Sequence, residues 1–290
     1  MMIAVLLFLN FALMILMPVA LGWLIASRRH ASWKLYAVGM GGFVLSQLFH
    51  IPFNWLVLQR WRPNTDEVVG LVLLAVFLGL SAGLFEEVTR YLIYRFGLRE
   101  ARSWGQGLMY GAGWGGIEAI LLGAIGLLNF VVLLGMNNGL FTELIPAAQM
   151  PMVQQTIDEM LNAPWYMTLL GAVERAFTLC FHLSASILVL QAFLRRNLLW
   201  LGVAILWHTA VNATAVFTLQ YLTLVTNANT AALATEAAIG LFALISLGII
   251  FWLKTPEPTP AEPEPLPITS PAQSVEIPLT ADMLERSKFS

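Results

Sequence analysis

Charge is what this sequence has least of. Only 11% of its 290 residues are Asp, Glu, Lys or Arg, and 58% are hydrophobic; a soluble domain carries about 25% charged residues. That shortage excludes a water-soluble globular fold and points to a polytopic membrane protein. The net charge of −2 leaves no basic surface for nucleic acid. A single cysteine, Cys180, excludes an intramolecular disulfide. No H-E-x-x-H run is present, so the soluble zinc-protease signature is missing. No convincing internal repeat marks the two halves, which counts against a repeat-built carrier. The first 26 residues have no basic leader, and their apolar run is too long for a cleaved signal, so they read as a first span.

What is abundant is apolar sequence in long runs. Spans are expected near 2–26, 35–58, 68–95, 105–135, 165–193, 198–220 and 234–253, each long enough to cross a bilayer core of about 30 Å. The fold class is therefore all-α with seven transmembrane helices, forming a membrane domain over residues 1–254. Arg28, Arg29, Lys34, Arg95, Arg99, Arg102, Arg195, Arg196 and Lys254 fall on one side of this arrangement, and only Arg60 and Arg62 on the other. Basic loops stay in the cytoplasm, so the N-terminus is expected outside and the C-terminus inside a bacterial cytoplasmic membrane. Within the external segment 137–164, MVQQTIDEMLNAPW suits an amphipathic helix at the surface, and a partly ordered loop is the alternative. Residues 255–290 are rich in proline and glutamate, cannot build a core, and read as a disordered cytoplasmic tail.

Against that background a few buried polar residues stand out. The stretch 79–95, GLSAGLFEEVTRYLIYR, ends the 18-residue uncharged run 68–85 and then places Glu86, Glu87 and Arg90 on one helix. An ionised group at mid-span costs about 2.5–3.5 kcal/mol on insertion scales, so such residues mark function or pair with one another. The fourth span adds Glu118, the fifth Glu174, Arg175 and His182, and the sixth His208 and Asn212. Gly79 and Gly83 precede Glu87 at four-residue steps, and Gly107, Gly111, Gly115, Ala119 and Gly123 form a small-residue stripe. Such stripes let helices approach closely and turn the carboxylates toward protein. Glu174, Thr178, His182 and Ser186 share one face of the fifth span, as His208 and Asn212 share one face of the sixth. Glu87 and Arg90 also suit a structural ion pair, Glu174 with Arg175 an entrance-lining pair, and His50 and Asn54 packing contacts.

Glutamate and histidine at one depth either bind a divalent ion such as zinc, leaving a position for water, or polarise water directly. Either route gives hydrolysis of a peptide bond. The tentative metal ligands are Glu118, His182 and His208. A non-catalytic scaffold and an ion-coupled carrier are the competing functions.

The segments FEEVTR (85–90), GAGWGGIEAI (111–120), ERAFTLCFH (174–182) and WHTAVN (207–212) resemble the YhfC-type membrane peptidases over roughly residues 35–253. That family is similar to the group holding the CAAX prenyl proteases, bacteriocin-processing enzymes and the PrsW protease. The resemblance implies an intramembrane peptidase acting on a membrane-associated protein or peptide. Glu86 or Glu87 would activate water with His182, while His208 and Asn212 stabilise the oxyanion or complete a metal site. The spacing E-E-x-x-R is closer to the PrsW form than to the CAAX form. Phe177 stands five residues before His182, where the CAAX pattern has four.

Overall fold

The computed structural model describes residues 2–141, 143 and 145–255. The chain divides into the units Met1–Glu257 and Pro258–Ser290. The second unit, and with it the tail expected to be disordered, lies outside the described residues.

The first unit is built of α1 (Met2–Arg29), α2 (Trp33–Arg60), α3 (Val68–Phe96), α4 (Trp104–Asn137), α5 (Met150–Leu161), α6 (Leu170–Leu194), α7 (Leu199–Val225) and α8 (Ala228–Trp252). Among the described residues there is no strand. Seven of the helices are long and apolar enough to cross a membrane, as the hydropathy of the sequence requires. Only a helix satisfies its own backbone inside hydrocarbon, and the apolar runs leave no other solution. Helix α5 is the amphipathic piece expected in segment 137–164, with Ile157 as its buried anchor.

The helix ends follow from local chemistry. Ser103 and Gln106 form a reciprocal capping box at the start of α4. Ser32 Oγ accepts from Lys34 N–H, and Asn227 Oδ1 from Thr230 N–H, at the starts of α2 and α8. The buried start of α6 has no local cap. Asn10 on α1 supplies one instead, accepting the Ala172 N–H at 2.8 Å. His30 and Arg196, both at φ 51°, close α1 and α6 in the left-handed conformation.

Packing places α4 at the centre, against α1, α2 and α6, while α3 lies along α7, and α8 covers α6 and α7. The small-residue stripes make these approaches possible. A Cβ on Gly83 would stand 2.8 Å from Ile205 O, and one on Gly111 2.9 Å from His182 O. One end of the bundle brings two basic residues to Trp104. Arg29 and Lys254 lie over its ring at 4.9 and 5.6 Å, and its N–H donates to Ile250 O. Arg29 and Lys254, assigned to one side in the sequence, thus meet at one end of the bundle.

Candidate active site

The close α3–α7 and α4–α6 contacts bring the buried polar residues into one connected array. On α3, Glu86 and Glu87 are consecutive and so point to different neighbours. Glu87 is fully buried: its Oε1 accepts from His208 Nδ1 at 2.8 Å, and its Oε2 pairs with Arg90 Nη1 at 3.5 Å. Arg90, equally buried, donates to Ser186 Oγ and His182 O, and its guanidinium lies over the Trp114 ring at 4.4 Å. Glu87 and Arg90 thus form a buried ion pair, and Glu87, unlike Glu86, does not line the neighbouring cavity.

Glu86 faces a cavity of about 120 Å³, shared with Glu118, Glu174, Arg175, Thr178, His182, His208 and Asn212. Its carboxylate is held from two sides, by Gln47 Nε2 at 3.1 Å and Trp114 Nε1 at 2.8 Å. His208 Nε2 stands 4.0 Å from Glu86 Oε1. Asn212, one turn beyond His208, lines the cavity without a hydrogen-bond partner among the described residues.

The two histidines are fixed in opposite tautomers. Glu87 accepts at Nδ1 of His208, which leaves Nε2 facing the cavity. Arg90 Nη2 approaches His182 Nδ1 at 3.5 Å, and a guanidinium only donates, so the ring proton of His182 sits on Nε2 and is given to Glu118 Oε2 at 2.7 Å. Glu118 Oε1 in turn accepts from Arg175 at 2.7 Å, and Arg175 also pairs with Glu174. Glu118 and Gln47 additionally border an apolar recess of about 420 Å³ between α2 and α4, lined by Phe43, Leu48 and Leu121.

Imidazole and carboxylate are the right donor chemistry for zinc, but the side chains are spent on one another. Both nitrogens of His182 and one of His208 are committed, leaving His208 Nε2 and Glu86 as free donors where a catalytic zinc takes three. Among the described residues no three His, Cys, Asp or Glu side chains converge as a metal-holding group. As arranged, the set Glu118, His182 and His208 does not fit a resident metal.

Two participants escaped the sequence reading. Gln47 and Trp114 are unionised, and neither is conspicuous in an apolar helix. His50 and Asn54, read as packing contacts, bond to each other, and His50 also meets Gln47, which ties them to Glu86. Glu236, in the third turn of α8, is a half-buried carboxylate that the sequence reading passed over.

Comparison with known proteins bears on the chain as a whole. A family model described as YhfC intramembrane metalloprotease matches residues 13–235. The "Uncharacterized membrane protein YhfC" of Bacillus subtilis (strain 168) is 32% identical over 208 residues, covering 71% of this chain and 81% of that protein. No solved structure matches the chain significantly.

Proposed function

Since the chain belongs to the YhfC intramembrane metalloprotease family, we propose that it is a peptidase that hydrolyses a peptide bond of a membrane-associated protein or peptide, with Glu86 as general base. The observation that carries this reading is the cavity where Glu86, His182, His208 and Asn212 meet. A purely structural cluster has no need of a water-sized space beside an unpaired imidazole nitrogen and an unpaired amide.

Glu86 Oε1 takes a proton from a water in the cavity, and the water oxygen attacks the carbonyl carbon of the scissile bond. The oxyanion that forms receives hydrogen bonds from the Asn212 amide and from His208 Nε2 in its protonated form, whose charge Glu87 offsets from behind. As the C–N bond breaks, Glu86 returns its proton to the leaving nitrogen, and the remaining proton of the new carboxyl group also passes to that amine, so the products depart as a carboxylate and an ammonium group. Gln47 and Trp114 hold the Glu86 carboxylate in one orientation throughout. His182, braced between Arg90 and Glu118, forms the α6 wall against which the water is held. The apolar recess between α2 and α4 offers a route by which a lipid-embedded segment reaches Gln47 and Glu118. We place the basic face on the cytoplasmic side, following the distribution of Arg and Lys.

The test uses the full chain in lipid nanodiscs with a pool of membrane-partitioning peptides in isotopically heavy water. Mass spectrometry should find fragments with one heavy oxygen in each new C-terminal carboxylate. Glu86→Gln should lower the rate by roughly 10²–10⁴-fold, the usual worth of a general base. Equal turnover by wild type and Glu86→Gln refutes the assignment.

A further inference from the structure

Beside the reaction cavity lies an open cleft of about 400 Å³, lined by α6, α7 and α8. The two share Glu174, Ala215 and Ile239 in their walls, so they adjoin. The second is walled mainly by Leu170, Val216, Leu219, Ala232 and Ile239, with Thr235 and Glu236 among them. Glu236 makes no hydrogen bond or ion pair with any described residue, and its Oε2 is buried. Every other carboxylate of the array has a partner: Glu86 has Gln47 and Trp114, Glu87 has Arg90, and Glu118 and Glu174 share Arg175. Five carboxylates therefore stand against the two guanidinium groups of Arg90 and Arg175, and the unmatched one borders an apolar chamber.

An unpaired carboxylate in an apolar span is costly unless something answers it. The reaction chemistry gives Glu236 no task, because it lies in the side chamber and not in the wall around Glu86. What the chamber matches is a side chain with an aliphatic stem and a cationic head, the stem against the leucines and valine and the head against Glu236. Resting on the peptidase reading, we propose that this chamber is a specificity subsite for a lysine-type basic side chain of the substrate, with Glu236 as the residue that selects it. Glu174 and His182, eight positions apart on α6, are separated by about 12 Å along the helix. The selected basic residue then falls about two to four residues from the scissile bond of an extended substrate, at about 3.3 Å per residue.

The experiment titrates the full chain in nanodiscs with n-butylammonium, which has the stem and head of lysine, and with n-butanol, which has the stem alone. Thermal unfolding reports binding. Wild type and Glu86→Ala should both show a saturable rise in Tm with n-butylammonium and none with n-butanol, while Glu236→Gln should bind the cation at least tenfold more weakly. Glu236→Asp, which keeps the charge, should retain saturable binding and covers the case in which Glu236→Gln folds poorly. Equal binding by wild type and Glu236→Gln, absence of saturable binding to wild type, or equal response to n-butanol overturns the proposal. Because binding is read in Glu86→Ala as well, loss of the subsite and loss of hydrolysis register separately.

Discussion

Nε2 of His208 stands 4.0 Å from Oε1 of Glu86. That gap is too wide for a direct hydrogen bond, and about right for an oxygen atom held by one or both groups. Glu87 sets it by fixing the opposite nitrogen of the same ring at 2.8 Å. The two adjacent glutamates thus divide the work, one facing the cavity and the other orienting the ring that faces it.

Glu87→Gln should therefore damage the protein in a different way from Glu86→Gln. It leaves Arg90 as a fully buried charge without its ion-pair partner, and breaking such a pair costs roughly 3–5 kcal/mol. Denaturant unfolding in detergent should show that loss for Glu87→Gln. Glu86→Gln, whose amide oxygen still accepts from Trp114, should stay within about 1.5 kcal/mol of wild type.

Asn212→Ala should lower kcat by about 10²–10³-fold, the usual effect of removing one oxyanion donor. KM should change little, because the contact forms only as charge develops on the carbonyl oxygen. Stability should be unaffected, since the Asn212 amide has no partner among the described residues. A larger change in KM than in kcat would assign Asn212 to substrate binding instead.

Glycine substitutions separate packing from propensity. A Cβ at Gly83 meets Ile205 O at 2.8 Å and crowds the α3–α7 contact that seats His208. Gly83→Ala should cost about 1–3 kcal/mol and reduce turnover along with stability. Gly202, with open space around it, should tolerate alanine and gain up to about 1 kcal/mol from helix propensity. Thermal unfolding and peptide cleavage on both variants check the pair.

Because His208 Nε2 and Glu86 are the two metal donors in this cavity left outside ion pairs with any third group of the described residues, purified protein treated with EDTA and 1,10-phenanthroline should keep its cleavage rate. Elemental analysis of the purified protein should find less than stoichiometric zinc. Inhibition by chelator that zinc restores would mean that His182 leaves Glu118 to complete a three-donor site.

The membrane class, the seven spans and the basic face were legible in the sequence, because a bilayer demands long apolar runs and leaves basic residues where they cannot be translocated. The small-residue stripes and the four-residue spacing of polar groups also told which helix faces turn inward. Pairing between helices was not legible. Periodicity fixes a face but not which neighbour that face meets, so Glu118 with His182 and Glu87 with His208 emerged only from packing. Gln47 and Trp114 give no charge signal, yet they hold Glu86. The sequence alone thus determined that carboxylates and histidines are buried together, because burying them in lipid is too costly otherwise. The tertiary structure decided which of them face open space and which neutralise one another, because hydrogen bonds depend on distances of a few tenths of an ångström that no spacing along a chain sets.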